Sequence, residues 1–301
     1  MAGRLNIGPQ QALDRPPEAL VSFWSQSVHD PAGDAVWRPL AGGRTNSTWR
    51  VTGQQTDLVV KLFRPEAHTP LFDNDPVAEE RALVALEGSG LAPEFVGAGL
   101  TAAGPSLCYI HVDGRAWRPG DGAETVAQAL AWLHARQAPG WLGAAPIRVA
   151  DLRRQAREML AQIGAAGEAI TALEPVLRDD IPLKGAAFLH GDATAGNALM
   201  SGGAITFIDW QCPARGDPVF DLAVFLSPAM QAVSGNRPLT PAEEQSFLDA
   251  YGEAEVSRRY RALAPLFHWR MAAYCRWRAA RGDRGYAEAA RLEEARLRAE
   301  T

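Results

Sequence analysis

The chain has 301 residues, of which 47% are hydrophobic and 22% charged, with a formal net charge of -5 and a pI near 5.7. This composition predicts a folded globular protein, and the absence of a basic excess argues against nucleic acid as a partner. The sequence has no apolar stretch of membrane-span or signal-peptide length, and its three cysteines follow neither a disulfide nor a zinc spacing. We therefore expect a cytoplasmic protein with no membrane association.

The first third of the chain is predicted to be mainly β-structure. Residues 17–28 have helical apolar spacing, and 36–63 contain three short β-rich runs separated by turn residues. Residues 76–87 open with proline and continue as an amphipathic helix, and two further β-rich runs follow up to residue 112. This order predicts a small antiparallel sheet with a helix, which we assign to a first domain at 1–112.

The remainder, residues 113–301, is predicted to be mainly helical. TVAQALAWLHAR and DLRRQAREMLAQI have strong helical patterns, and the last sixty residues read as a series of helices. Gly114 lies in the predicted connection, where a glycine relaxes the backbone. The predicted fold class is α+β, with a sheet-containing N-terminal lobe and a larger, mainly helical C-terminal lobe.

Three polar residues in the second domain form the strongest chemical signal. Asp192 and Asn197 stand five apart in FLHGDATAGNALM, and Asp209 ends the apolar run ITFIDW. Two carboxylates and an amide oxygen brought close together suit a hard cation such as Mg²⁺. Phosphoryl transfer needs such a set, because one carboxylate takes the hydroxyl proton while others hold the metal.

The segment HGDATAGN, with IDW after it, resembles the catalytic loop and metal-binding segment of the aminoglycoside phosphotransferase and choline kinase superfamily, which has a protein-kinase-like two-lobed fold. The resemblance implies that Asp192 is the catalytic base and that Asn197 and Asp209 bind Mg²⁺. It also implies that His190 braces the loop and that Asp221, in GDPVFDLA, holds the loop through its backbone.

The same resemblance assigns ATP-binding residues in the first domain. Lys61 in LVVKLF matches the lysine that contacts the nucleotide phosphates, with Glu79 or Glu80 as its helix partner, and we choose Glu79. The remaining assignments are backbone groups: the phosphate-covering loop at Gly42 and Gly43, and the adenine-binding strand at Ile110 and Val112.

The resemblance implies an ATP- and Mg²⁺-dependent kinase whose partner is a small-molecule hydroxyl acceptor. IDWQ and GDPVFDLA look closer to the choline, ethanolamine and thiamine kinase branch, which favours an amino alcohol. Gln211 departs from that branch, which usually has an acidic residue there. The alternatives are an aminoglycoside 3'-type phosphotransferase, a pseudokinase that binds nucleotide and regulates a partner, and a protein kinase. The short segment after Asp209 leaves little room for a peptide platform, and the oligomeric state stays open.

Aromatic residues near the C-terminus supply a further hypothesis about the acceptor. Trp269 and Trp277 are eight apart in a helical pattern, so they fall near one face. An aromatic face attracts quaternary or amino cations, which would suit an amino alcohol. Two alternatives oppose this reading: aromatic residues at helical spacing often form core, and the interleaved Arg270, Arg276 and Arg278 would repel a cation.

Overall fold

The computed structural model describes residues 13–27, 35–40, 45–177 and 181–299. These residues form two compact units. The sheet unit comprises residues 13–115 and Leu199–Pro213, and the helical unit comprises Ala116–Ala198 and residues 214–299. The sequence places a first boundary after residue 112, and it does not anticipate the return of Leu199–Pro213 to the sheet unit.

The sheet unit is built on five antiparallel strands in the order β1-β2-β3-β5-β4. The strands are β1 (Val36–Pro39), β2 (Ser47–Thr52), β3 (Asp57–Leu62), β4 (Phe95–Thr101) and β5 (Gly104–Ile110), accompanied by α1 (Glu18–Ser27) and α2 (Pro76–Ala85). β3 is central, and five of its six residues are buried. A core containing Leu20, Trp24, Trp49 and Val60 lies between α1 and one face of the sheet. Lys61 follows Val60 on β3, so its side chain points to the opposite face of the sheet, where it is also buried.

α2 starts with a complete N-terminal signal. Asp75 is the N-cap, and its carboxylate accepts hydrogen bonds from the backbone N–H groups of Val77 and Ala78. Pro76 follows at the first helical position, where its missing N–H has no cost. The cap fixes the start of α2, and with it the position of Glu79 one turn later.

The chain passes between the units at β6 (Arg115–Ala116) and again within β9 (Ala198–Ser201). β9 is followed by β10 (Ala204–Phe207), its neighbour in a three-stranded sheet of order β10-β9-β6. Gly202 and Gly203 join the two strands with φ of 57° and 87°. Two successive positive φ values are what a tight hairpin turn requires, and glycine adopts them without strain. The hairpin delivers Asp209 just beyond the end of β10.

The helical unit contains most of the helices and a second small sheet of order β7-β11-β8. Its elements are α3 (Ala123–His134), β7 (Gly143–Ala144), α4 (Val149–Ala161), α5 (Ala165–Thr171), β8 (Ala187–Leu189), β11 (Ala214–Gly216), α6 (Val219–Leu226), α7 (Pro228–Val233), α8 (Pro241–Tyr251), α9 (Ala254–Ala279) and α10 (Gly285–Ala299). α6 is buried along its whole length because nearly every residue of VFDLAVFL is apolar. Its one charged residue, Asp221, is therefore completely enclosed.

The observed architecture confirms the predicted α+β class, with an antiparallel sheet in the N-terminal part and helices after it. None of the helices within the described ranges has the length and apolar character that crossing a membrane would require.

Candidate active site

Lys61 of β3 and Glu79 of α2 form a buried ion pair in the sheet unit. Lys61 Nζ lies 2.6 Å from Glu79 Oε2, and each side chain is only 1% exposed. Glu80, the alternative partner in the sequence, is partly exposed. The structure therefore places Glu79 beside Lys61, which is the choice made from the sequence.

Asp209 is the second carboxylate at Lys61. Its Oδ1 accepts a hydrogen bond of 3.0 Å from Lys61 Nζ, while 29% of its side chain stays exposed. Asp209 has a φ of 61°, and it is the only non-glycine residue with positive φ in the part of the chain described. Aspartate tolerates this left-handed conformation better than most residues. Because Lys61 contacts only one of the two carboxylate oxygens, an accessible oxygen remains for a cation.

The charges of this cluster do not balance, since one ammonium faces two carboxylates. Burial alone would lower the pKa of Lys61, but Asp209 and Glu79 raise it above its ordinary value. Burial raises the pKa of Glu79 to about 7, Lys61 opposes that shift, and Asp209 adds to it. The cluster therefore has one negative charge in excess when all three groups are ionised, and protonation of Glu79 near pH 7 removes that excess.

A network of neutral amides adjoins the Lys61 cluster. Gln211 Oε1 accepts hydrogen bonds from Asn46 Nδ2 at 2.9 Å and from Lys61 Nζ at 3.4 Å. Asn46 and Asn74 exchange hydrogen bonds of 2.8 and 3.0 Å, and all three amide side chains are buried. In the sequence, Gln211 stands out only as a departure from the choline, ethanolamine and thiamine kinase branch. Asn46 and Asn74 were not among the predicted site residues. The signal was available in Asn46, which ends the glycine-containing segment before β2.

Backbone groups at four residues were predicted to bind the nucleotide. Two of these residues, Gly42 and Gly43, lie outside the described residues. Ile110 ends β5, and its N–H donates a 2.8 Å hydrogen bond to the carbonyl of Glu94. That N–H is therefore occupied, and the Ile110 carbonyl is the backbone group of this residue that is left to contact adenine.

In the helical unit, the loop after β8 brings Asp192 and Asn197 together. The Asn197 amide donates to the Asp192 carboxylate at 3.0 Å and to the Asp192 carbonyl at 2.9 Å. Asp192 N–H donates to Nδ1 of His190 at 3.1 Å, and His190 is fully buried. Since Asn197 uses its nitrogen on Asp192, its side-chain oxygen is the atom left to act as a ligand.

Asp221 holds this loop by its backbone. Its carboxylate accepts hydrogen bonds from the N–H groups of His190 at 2.7 Å and Gly191 at 2.9 Å. Gly191 has a φ of 84°, a conformation that glycine adopts freely. This geometry agrees with the roles that the resemblance implies for His190 and Asp221, and it fixes the approach of the chain to Asp192.

Two residues that the sequence analysis missed complete the Asp221 network. His134 Nε2 lies 3.0 Å from Asp221 Oδ2, and its Nδ1 lies 2.9 Å from Tyr251 Oη. Burial alone would raise the pKa of Asp221, but the hydrogen bond and charge of His134, with further help from His190, lower it. In the sequence, His134 is a histidine on the apolar face of a predicted amphipathic helix, and this pattern could have marked it. No local pattern marks Tyr251.

The aromatic residues of α9 do not form the cation-binding face considered above. Trp269 is fully buried, and its indole N–H donates a 2.7 Å hydrogen bond to the carbonyl of Ile170. Trp277 bonds Gln162 and lies under the guanidinium of Arg281, which is 3.7 Å from the ring centroid. The core interpretation of Trp269 is therefore correct, and the aromatic pocket is not supported.

The donor atoms of the proposed metal ligands determine which cation they suit. No group of three or more His, Cys, Asp or Glu residues arranged for a metal occurs within the residues described. Taken singly, Asp209 of the sheet unit has a partly exposed carboxylate and Asn197 of the helical unit has an uncommitted amide oxygen. Both are hard oxygen donors, the kind that Mg²⁺ prefers, so the donor chemistry of each residue fits Mg²⁺.

Comparison with solved structures shows the same fold in several kinases. A choline/ethanolamine kinase family protein from Mesorhizobium loti aligns with a TM-score of 0.57 at 18% identity, covering 93% of each chain. The choline kinase LicA from Streptococcus pneumoniae aligns with a TM-score of 0.61 at 17% identity, covering 86% of this chain and 94% of its own. A spectinomycin phosphotransferase in complex with ADP and spectinomycin aligns with a TM-score of 0.53 at 14% identity, covering 93% and 95%.

These likenesses confirm the predicted protein-kinase-like fold. No curated protein matches the sequence significantly. A family model described as phosphotransferase enzyme family, abbreviated APH, matches residues 36–266, well over half of the chain. This match confirms the superfamily expected from the sequence and the predicted class of small-molecule phosphotransferase. The chain therefore belongs to the phosphotransferase enzyme family.

Proposed function

We propose that this protein transfers the γ-phosphoryl group of ATP to a hydroxyl group of a small metabolite. The observation that carries the proposal is the Asp192 loop, in which Asn197 orients the carboxylate and Asp221 holds the backbone. A catalytic base must be held in one orientation within reach of the proton it removes. This loop meets the first requirement without any ligand.

Asp192 is the proposed base. As the acceptor oxygen forms its bond to the γ-phosphorus, the hydroxyl proton passes to the Asp192 carboxylate, the bond to the β–γ bridging oxygen breaks, and ADP leaves with that electron pair. Lys61, kept charged by its two carboxylates, neutralises the nucleotide phosphates. Asn197 and Asp209 are the proposed residues that would hold Mg²⁺, and the bound ion would neutralise charge on the transferred phosphoryl group.

ATP is the proposed donor. The spectinomycin phosphotransferase with this fold was solved with ADP. In this chain, the Ile110 carbonyl and the Val112 peptide group are the proposed adenine contacts, and Gly42 and Gly43 the proposed phosphate-covering turn. Cys108, Cys212 and Cys275 form no disulfide with one another, and this and the need for ATP favour the cytoplasm as the place of action.

An amino alcohol is the proposed acceptor, as for the choline, ethanolamine and thiamine kinases that the sequence resembles. An aminoglycoside is the alternative, since the fold neighbours include phosphotransferases of both kinds. A nucleotide-binding regulator without turnover is the remaining alternative, and the intact Asp192 network argues against it.

The decisive test is Asp192→Ala, assayed for ADP release with a panel containing choline, ethanolamine, thiamine, kanamycin and simple sugars. We expect the variant to remain folded and to bind Mg-ATP, while kcat falls roughly 10²–10⁴-fold, because a positioned base is lost. Asp249→Ala, at an exposed position of α8, is the matched control. Near-native turnover by a folded Asp192→Ala protein, or no ADP release by the native protein with any acceptor, would contradict the proposal.

A further inference from the structure

Of the four partly buried arginines on α9, all but one have acidic partners. Three of them form ion pairs within the helical unit: Arg259 with Asp217, Arg276 with Glu294 and Arg278 with Asp283. Such pairing is the rule for guanidinium groups removed from water, because an uncompensated buried charge is costly.

Arg270 departs from this rule. Its Nε donates a 3.0 Å hydrogen bond to the neutral amide oxygen of Gln155 on α4, and its Cζ lies 5.9 Å from the ring centroid of Phe220 on α6. Across the ranges that the structure describes, no carboxylate lies within ion-pair distance of Arg270. The guanidinium thus has one neutral acceptor for five N–H donors.

The surroundings of Arg270 make this arrangement costly. Burial lowers the pKa of Arg270 to about 10, and no neighbouring charge opposes the shift. The side chain nevertheless keeps partial access to solvent. A cation that is largely desolvated yet reachable attracts an anionic ligand more strongly than an exposed one does, since the local dielectric constant is low.

The position of Arg270 connects it to the loop that bears the proposed base. Phe220, beneath the guanidinium, directly precedes Asp221 in α6. Asp221 in turn accepts hydrogen bonds from the backbone of His190 and Gly191, two residues and one residue before Asp192. Arg270 is therefore linked to this loop through α6, whose neighbouring residues Phe220 and Asp221 contact one each.

We propose that Arg270 binds a carboxylate group of the phosphoryl acceptor. A planar guanidinium with free N–H donors matches a carboxylate in a two-point contact. The inference rests on the proposed function and narrows its substrate class to a hydroxylated molecule that bears a carboxylate. An amino alcohol with a carboxylate, that is, a hydroxy amino acid, satisfies both proposals.

The test compares acceptors with and without the carboxylate: L-serine with ethanolamine, L-homoserine with 3-aminopropanol, and glycerate with glycerol, in which a hydroxymethyl group replaces the carboxylate. The measured quantity is the ratio of kcat/KM within each pair. We expect the native protein to prefer the carboxylate in at least one pair. Arg270→Gln should reduce that preference by about tenfold to a hundredfold, the value of a charge-assisted hydrogen bond.

Two further variants keep the proposal testable if Arg270→Gln folds poorly. Gln155→Glu supplies the missing carboxylate beside Arg270, so the new ion pair should compete with the acceptor and reduce the preference while the fold stays intact. Arg281→Gln is the matched control, because Arg281 also bonds a glutamine and stacks on an aromatic ring, but at an exposed position. It should leave the preference unchanged.

The outcomes separate this inference from the proposed function. If no pair shows a carboxylate preference, or if a preference survives in both Arg270→Gln and Gln155→Glu, Arg270 does not bind the acceptor. ADP release that depends on Asp192 with ethanolamine or glycerol would still uphold the phosphotransferase proposal. If the native protein shows no turnover that depends on Asp192 with any acceptor, the proposed function itself is rejected.

Discussion

The two units each bury a carboxylate next to a proposed catalytic group, and they stabilise it in opposite ways. In the helical unit, Asp221 accepts two backbone N–H groups and a histidine, and its pKa is lowered. In the sheet unit, Glu79 depends mainly on one ammonium that it shares with Asp209, and its pKa is raised to about 7. Burial is equally complete for both side chains.

The difference lies in what compensates for lost hydration. Backbone N–H groups are fixed donors that cost little to orient, so the Asp221 loop is complete without ligand. The Lys61 cluster has surplus negative charge that a bound cation would balance. We infer that the loop bearing the proposed base is preorganised, whereas the charge balance of the proposed nucleotide-binding cluster is completed by its ligands.

The largest expected effect comes from removing the Asp221 carboxylate. Asp221→Ala would leave the N–H groups of His190 and Gly191 and the His134 ring without an acceptor in the interior. We expect the free energy of unfolding to fall by about 3–5 kcal/mol, measured by urea denaturation. Asp249→Ala is again the exposed control. A loss below about 1 kcal/mol would show that the backbone contacts of Asp221 contribute little.

The second prediction concerns pH. Because the pKa of Glu79 is about 7 in the folded protein and near 4.5 when unfolded, the folded state binds more protons between those values. The stabilisation contributed by Glu79 is thus fully present below about pH 4.5 and is lost as the pH rises to about 7. Over this range the free energy of unfolding falls by up to about 3 kcal/mol.

Glu79→Gln isolates this contribution. The difference in unfolding free energy between the native protein and the variant should change over pH 4.5–7 and be constant above that range. Glu80→Gln, at the neighbouring, partly exposed position, should show no such dependence. A flat difference for Glu79→Gln would indicate that Lys61 fully compensates the Glu79 charge.

The third prediction concerns Lys61, the cation of the same cluster. Lys61→Met leaves Glu79 without its partner, but Glu79 can become protonated, so the loss should be only about 1–2 kcal/mol at pH 7 and smaller at pH 6. Affinity for Mg-ATP, measured by titration calorimetry, should fall with the loss of charge at the phosphates. Unchanged affinity in a folded variant would remove Lys61 from the proposed nucleotide site.

The smallest expected effect on acceptor binding is at Trp269. Trp269→Phe removes the hydrogen bond to the Ile170 carbonyl and some ring volume, so we expect a loss of about 1–2 kcal/mol in unfolding free energy. As a core residue, it should leave KM for every acceptor within twofold. An acceptor-specific rise in KM would restore the aromatic residues of α9 to the substrate site.

Sequence patterns were sufficient for features set by local order. The strand and helix succession up to residue 112, the Asp192–Asn197 spacing and the Lys61–Glu79 pair all depend on short-range periodicity or on motifs. Features formed by distant residues were not accessible. The contact of Tyr251 with His134 joins positions 117 apart, and that of Asn46 with Gln211 joins positions 165 apart, with no local pattern to mark either.

Trp269 shows a different limit. Helical spacing predicts which residues of α9 lie near one face, but it cannot tell whether that face meets solvent, a ligand or another helix. α9 packs against α4, α5 and α10, and the hydrogen bond of Trp269 goes to Ile170 of α5, which lies elsewhere in the chain. The missing partner of Arg270 is equally invisible in the sequence, because acidic residues are abundant and only their positions show which arginines they reach.

The left-handed backbone of Asp209 has a consequence for how its chemistry is probed. An alanine at this position would alter the backbone preference together with the charge, so an alanine scan would report two effects as one. Asparagine tolerates the same φ and has nearly the same shape, and it removes only the negative charge. Asp209→Asn is thus the substitution whose kinetics report on charge, and the difference between the asparagine and alanine variants combines the conformational cost of this turn with the loss of the acceptor for Lys61.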